Sequence, residues 1–167
     1  MRRFTAAFMA LVLIFALAGC TAQATTYLYE GKDGDWSIKL PKEFVKDKEE
    51  ANEQLKSYTV NFKTESESFM AINELIDEKL EITEEKLKEE LAEDHYLHVE
   101  KYESVDIEGI GKAYGALVTD EATGMSMLYY RLKHKNKAVS FIIYRKGKFS
   151  AEQENKAKEM LKTFKGK

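Results

Sequence analysis

The segment most informative about the fold is a run of seven residues near the C-terminus, Ala138-Val139-Ser140-Phe141-Ile142-Ile143-Tyr144. Side chains alternate between the two faces of a β-strand, so positions 139, 141 and 143 share one face and positions 138, 142 and 144 share the other. Residues 113–118 have the same two-sided apolar character. A strand that is apolar on both faces needs cover on both faces. The pattern therefore predicts a central sheet lying between two other layers.

The other strands are predicted from apolar segments separated by turn residues. They lie at residues 27–30, 36–40, 58–63, 68–75, 97–107, 112–119 and 126–133, with the last strand at 138–145. Pro41 ends the second segment because proline has no N–H for a sheet hydrogen bond. Residues 42–54 are strongly charged and are predicted to form a surface loop or a short helix.

Residues 77–94 change character and are predicted to be helical. Thr83 is a suitable N-cap, and two glutamates follow it in the first turn, where the helix dipole favours negative charge. Leu87 and Leu91 are four residues apart and are expected to face the sheet.

The C-terminal segment, residues 151–164, is the clearer helix. Ser150 and Gln153 fit a capping box, and the apolar residues at 157, 160, 161 and 164 form one stripe. One helix in the middle of the chain and one at its end can cover both faces of a sheet. The sequence therefore predicts an α+β fold in which helices cover both faces of a central antiparallel sheet, an α/β/α sandwich.

The N-terminus has the features of a targeting segment. Arg2 and Arg3 precede residues 4–19, which are uncharged and largely apolar. This run is shorter than the roughly 20 apolar residues of a spanning helix. It ends in Leu17-Ala18-Gly19-Cys20, which resembles the bacterial lipobox cleaved by signal peptidase II. The resemblance implies cleavage between Gly19 and Cys20 and attachment of diacylglycerol to the Cys20 thiol.

This interpretation divides the chain into a signal peptide (1–19), a lipidated N-terminus and short tether (20–26) and one domain (27–167). It places the domain on the extracytoplasmic face of a bacterial membrane. Residues 21–25 span at most about 17 Å when extended, so the domain is expected to lie close to the membrane surface. Two alternatives remain open. The segment could stay uncleaved as an anchor, or cleavage after Ala24 could release a soluble domain.

Composition excludes several functional classes. Cys20 is the only cysteine, so the domain has no disulfide, redox pair or cysteine nucleophile. Residues 1–19 hold two of the 26 basic residues and none of the 29 acidic ones, which leaves the rest of the chain with a formal charge of −5. That charge argues against nucleic acid as a partner. The sequence contains no catalytic or dinucleotide-binding motif. We therefore predict no enzyme activity and no cofactor.

The order of elements resembles the PsbP/Mog1/DcrB-like group. The likeness rests on the opening Trp36-Ser37-Ile38-Lys39-Leu40-Pro41-Lys42-Glu43-Phe44, the strand Phe141-Ile142-Ile143-Tyr144, and a closing helix from Ser150-Ala151-Glu152-Gln153 to Thr163-Phe164. Members of this group include extrinsic photosystem subunits, a Ran-binding protein and bacterial envelope lipoproteins. The resemblance implies a binding or accessory module and transfers no functional residue.

Two features suggest metal sites, and both have simpler explanations. His95 and His98 are closely spaced, and His98 shares a strand face with Glu100, so this pair could bind a metal. An exposed strand start explains these residues better, because no third histidine ligand is close in sequence. Residues 74–94 hold ten acidic side chains without the ligand pattern of an EF-hand, which is typical of a solvated helix face. No metal site is predicted.

A ligand or partner surface is predicted on the penultimate strand and the turn that follows it. It comprises Tyr129, Tyr130, Arg131, Lys133 and Lys135. Near a membrane such basic residues suit anionic lipid or a wall polymer, and the tyrosines suit a groove for a peptide or a small ligand. The functional hypothesis is a membrane-anchored, non-catalytic accessory module with an envelope protein as its partner. The alternative is a small-ligand-binding lipoprotein.

Overall fold

The structure is a computed structural model that describes residues 25–65, 68–77 and 79–167. Seven of the described strands form one antiparallel sheet, in the order β3-β4-β5-β9-β8-β7-β6. Their bounds are β3 Val45–Asn52, β4 Ser57–Lys63, β5 Phe69–Ile76, β6 Leu97–Ile107, β7 Gly111–Asp120, β8 Met125–His134 and β9 Lys137–Lys146. The strand quoted first above is β9, which lies in the middle of this sheet between β5 and β8.

A second, smaller sheet covers one face of the large one. It consists of β1 Thr26–Glu30, β2 Trp36–Pro41 and the two-residue β10 Lys165–Gly166, with β2 in the centre. Trp36 of β2 is fully buried; its ring stacks on Phe164 at 5.1 Å and meets Phe141 of β9 edge-on at 6.1 Å. The main core therefore lies between the two sheets.

The two described helices lie on opposite faces of the large sheet. Helix α2, Ala151–Lys162, packs on the same face as the small sheet and begins with the predicted capping box of Ser150 and Gln153. Helix α1, Glu84–Glu93, packs across β6 and β7 on the other face, with Leu87 buried. The predicted sandwich is thus confirmed in part, because a three-stranded sheet supplies much of the cover on one face.

Three details differ from the expectations. Residues Val45–Asn52 are strand β3, so the prediction of a loop or short helix at 42–54 was wrong there. All of its residues are exposed, because this edge strand pairs with β4 through its backbone and leaves its side chains in water. The charges of an edge strand also discourage pairing with other chains. Helix α1 is shorter than predicted, although Thr83 caps it as expected. Lys158 lies outside the apolar stripe of α2, which predicts a side chain in water, but its ammonium group is 2.7 Å from the Glu103 carboxylate.

The strand ends of the two sheets lie together at two opposite ends of the domain. Where β1 begins, the Tyr27 hydroxyl donates to the Phe44 carbonyl oxygen at 2.8 Å, next to the start of β3. Where β1 ends, the loop 31–35 contacts the end of β8 and the start of β9. We call these the proximal end and the distal end. The predicted signal peptide, Cys20 and the predicted tether up to residue 24 lie outside the described residues. Neither described helix is long and apolar enough to cross a membrane.

Candidate functional site

The predicted surface on β8 divides between the two faces of the sheet. Tyr130 is 1% exposed and belongs to the core, where its hydroxyl donates to the Glu103 carboxylate. Burial and the negative charge of Glu103 raise the pKa of Tyr130 far above its ordinary value. Because its ring is enclosed, Tyr130 is not part of a surface with Tyr129.

Tyr129 and Arg131 lie on the opposite face and hold helix α1 in place. The Arg131 guanidinium lies over the Tyr129 ring at 5.3 Å and donates to the Glu90 carboxylate of α1 at 2.6 and 2.7 Å. It also donates to the Ser140 hydroxyl at 3.2 Å. These contacts are internal to the domain. They indicate that Arg131 positions helix α1 and is not free to bind another molecule.

Lys133 and Lys135 instead belong to a shallow groove at the distal end, with a volume of about 590 Å³. We call it the basic groove. Three separate segments line it: Glu108, Gly109 and Ile110; Lys133, His134 and Lys135; and Lys165, Gly166 and Lys167. Four of these residues are lysines, and Glu108 supplies the one side-chain carboxylate. The sequence identified two of the lysines and missed the other two, because strand β10 brings residues 165–167 to the turn from far along the chain.

An ionic cluster around a buried lysine, which we call the Lys137 cluster, lies nearby. The Lys137 ammonium group is 2.6 Å from Asp33, 3.2 Å from Asp35 and 3.1 Å from Glu74. Burial alone lowers the pKa of Lys137, but its hydrogen bonds to these carboxylates outweigh burial, so the pKa lies above its ordinary value. The hydrogen bond to Lys137 likewise lowers the pKa of Asp33. The cluster ties the loop 31–35 to the large sheet.

Sequence reasoning missed the Lys137 cluster although a signal was present. Glu74 follows Met70 and Ile72 in alternation, and Lys137 precedes Val139 and Phe141 in the same way. Alternation therefore places both charged residues on the core face. Two opposite charges at inward-facing positions of neighbouring strands predict a buried pair.

A narrower cleft of about 260 Å³ opens beside the Lys137 cluster. It lies between the loop at 32–33 and the turn of β3 and β4, and Tyr58, Glu74 and Lys137 line its inner part. The inner carboxylate of Glu74 has both oxygens engaged, one by the Lys32 N–H at 2.9 Å and one by Lys137. The charged groups at its base therefore satisfy one another.

The histidines considered as metal ligands do not converge. His95 and His98 are exposed, and Glu100 accepts a hydrogen bond from the Thr119 hydroxyl at 3.0 Å. Within residues 25–65, 68–77 and 79–167, no group of three or more His, Cys, Asp or Glu side chains is placed to hold a metal ion.

The arrangement of sheets and helices defines the PsbP/Mog1-like fold, as predicted. The solution structure of cyanobacterial PsbP (CyanoP) from Synechocystis has a TM-score of 0.53 at 10% identity, over 89% of this chain and 96% of that one. A mutant of the protein Mog1 has a TM-score of 0.52 at 11% identity, over 84% of this chain and 95% of the other. The Ran-binding protein Mog1p of Saccharomyces cerevisiae reaches 0.49 at 13% identity, with 84% and 95% covered. No protein-family model and no curated protein sequence matches the chain.

Proposed function

We propose that this protein is a lipid-anchored protein of the extracytoplasmic face of a bacterial membrane, where it acts as a non-catalytic binding or accessory module of an envelope complex. The anchor is Cys20, which the lipobox-like Leu17-Ala18-Gly19-Cys20 marks for lipidation and for removal of residues 1–19. Two acyl chains, at about 0.8 kcal/mol per buried methylene, are sufficient to hold a protein stably at a membrane.

The observation that carries the proposal is the position of the clefts relative to the tether. The chain enters the domain at Thr26, at the proximal end. The basic groove and the narrower cleft both lie at the distal end, formed by the loop 31–35 and the turns at 53–56, 108–110 and 135–136. A tether that leads from Cys20 to Thr26 therefore presents both clefts to the space away from the membrane, where a partner can reach them.

The chemistry of the clefts favours binding over catalysis. Asp33 and Glu74, two of the carboxylates that line the narrower cleft, both contact Lys137, so this lysine holds them in ion pairs. A general base needs a free carboxylate or imidazole within reach of a substrate proton. The exposed lysines of the basic groove, in contrast, are suited to attracting an anionic partner.

The second candidate is a small-ligand-binding lipoprotein, which the narrower cleft favours. Its volume of about 260 Å³ lies slightly below the usual lower limit of roughly 300 Å³ for ligand pockets. Isothermal calorimetry with small zwitterions against the full chain distinguishes the candidates. Saturable binding that Tyr58→Ala abolishes would favour this second function.

Metabolic labelling with a fatty-acid probe tests the anchor. We expect labelled wild-type protein that partitions into detergent, and an unlabelled Cys20→Ala variant. An unlabelled wild-type band would contradict the proposal. In the variant, cleavage after Ala24 is the expected alternative and gives a soluble product beginning at Thr25.

Orientation is tested with a single fluorophore, because a lipidated Cys20 leaves no other thiol in the chain. Lys135→Cys places the label at the distal end and Lys146→Cys places it at the proximal end, both on exposed positions. In vesicles that carry a head-group quencher, we expect stronger quenching at position 146. Equal or reversed quenching would contradict the orientation.

A further inference from the structure

We propose that the basic groove binds a phosphodiester polymer without aromatic bases, of the kind found in cell walls. The inference deepens the proposed function and rests on it for the location at which the polymer is met. It is carried by the juxtaposition of Lys133, Lys135, Lys165 and Lys167 around one groove at the distal end.

The basic groove is rich in positive charge, although the domain as a whole has a negative net charge. The chain after residue 19 has a formal charge of −5, yet four lysines and one carboxylate line the groove. Lys133 donates to the Leu80 carbonyl oxygen at 3.1 Å, and Lys167 pairs with Glu30. Within the described part of the chain, Lys135 and Lys165 have no hydrogen-bond or ion-pair partner, so their charges are free to meet an anion.

The C-terminal segment is fixed in place as one wall of the groove. Gly166 pairs with Trp36 of β2, and the Lys167 N–H donates to the Asp35 carbonyl oxygen at 2.8 Å. A Cβ atom at residue 166 would lie 2.5 Å from Cε1 of His134. Glycine therefore permits the close approach that places residues 165 and 167 beside the turn of β8 and β9.

Lys135 lies in the tight turn between β8 and β9, beside the basic groove. Residues 135 and 136 form the two-residue connection between His134 and Lys137, and Lys135 has a φ of 54°. Glycine, asparagine and aspartate are the residues that suit such a turn. A lysine with positive φ is unfavourable for the backbone, so glycine at this position removes the charge without straining the turn.

The chemistry of the lining selects the class of ligand. All four cations are lysines, which bind phosphate as point charges and do not need the paired geometry of an arginine. No Phe, Tyr or Trp side chain lines the groove. It therefore lacks both the aromatic anchors typical of protein interfaces and the stacking platforms that bind nucleic-acid bases. The distal position also directs it away from the lipid head groups of the anchoring membrane.

The test is fluorescence anisotropy with labelled poly(glycerol phosphate) and the full chain in detergent. We expect saturable binding that weakens with salt, and a loss of about fivefold for each of Lys135→Gly and Lys165→Ala, by analogy with the contribution of a lysine near an anionic surface. Lys56→Gly is the matched control. Lys56 is also an exposed hairpin lysine with positive φ (49°), but it lines the narrower cleft and not the basic groove.

Because glycine relieves strain at both positions, neither Lys135→Gly nor Lys56→Gly is expected to lower the melting temperature. An unchanged affinity of Lys135→Gly, or an equal loss in Lys56→Gly, would overturn the proposal. Equal competition by polyglutamate or by an oligothymidylate of matched charge would assign the groove to another class of ligand and would also overturn it. Since the assay does not require Cys20 to be lipidated, failure here leaves the fatty-acid labelling result, and with it the proposed function, intact.

Discussion

The ammonium group of Lys137 lies 3.1 Å from the Glu74 carboxylate, and both side chains are almost completely buried, at 5% and 4% exposure. Removing one partner of a buried ion pair leaves an uncompensated charge and costs about 3–5 kcal/mol. We therefore expect Lys137→Met to destabilise the domain by about 3 kcal/mol in urea unfolding. Glu74→Gln is expected to cost less, since Lys137 retains Asp33 and Asp35.

Lys135→Met is the control for this prediction, because Lys135 is exposed and lies two residues away. It should change the free energy of unfolding by less than about 0.5 kcal/mol, as is usual for surface substitutions. A cost below 1 kcal/mol for Lys137→Met would show that the Lys137 cluster does not hold the loop 31–35 to the sheet.

Gly31→Ala is predicted to destabilise the domain through its contact with Trp36. A Cβ atom at residue 31 would lie 2.3 Å from Cε2 and Nε1 of the indole, which is fully buried and cannot move aside. Overpacking of this kind typically costs about 1–3 kcal/mol. Adding Trp36→Phe makes room for the methyl group, so the double variant should lose less than the sum of the two single changes. Additive losses in thermal unfolding would contradict the assigned contact.

Acid is predicted to weaken the contact between α2 and β6 through Glu103. Burial raises the pKa of Glu103, but hydrogen bonds from Lys158, Tyr130 and Lys101 outweigh it, so the pKa is lowered overall. A carboxyl whose folded pKa lies below its unfolded value of about 4.3 stabilises the fold above that pH, and the stability is lost as the pH falls through the folded pKa.

We therefore expect the melting temperature of the wild type to fall more steeply below about pH 5 than that of Glu103→Gln. Glu159→Gln is the matched control, since Glu159 is an exposed glutamate of helix α2, the helix that Glu103 contacts through Lys158. It should retain the slope of the wild type. Equal slopes for the wild type and Glu103→Gln would exclude Glu103 as a source of acid sensitivity.

Much of the fold could be predicted because its signals are local. The capping box at Ser150, the N-cap at Thr83 and the two-sided pattern of β9 all depend on residues within a few positions of one another, and the structure contains each of them. Strand β3 was missed because its pairing depends on the neighbouring β4 and its own side chains remain in water. The alternation of apolar and polar residues cannot reveal a strand that buries neither of its faces.

The candidate sites were harder to predict because they join distant segments. The basic groove combines a turn at 133–135 with residues 165–167, and the Lys137 cluster combines a loop at 33–35 with two strands. Tyr130 was grouped with Tyr129 because the sequence shows that neighbours on a strand face opposite ways but not which face is outward. The packing of Trp36 against Phe141 settles that question.

Phe141 and Ile142 provide the sharpest test of the two faces of β9. Phe141 is 1% exposed, lies in the core between the sheets and meets both Trp36 and Phe164 edge-on. Ile142 points to the other face, where the two-sided pattern predicts cover, and is half-buried. Truncation of a buried aromatic costs about 3–5 kcal/mol through lost contacts and the cavity left behind. This is a large part of the roughly 5–15 kcal/mol that stabilises a domain.

We therefore expect Phe141→Ala to lose about 4 kcal/mol in urea unfolding. Ile142→Ala should lose clearly less, because the site of its side chain is already partly open to water. A larger loss at Ile142 than at Phe141 would mean that the main core lies on the α1 face, and the assignment of the two layers would then be reversed.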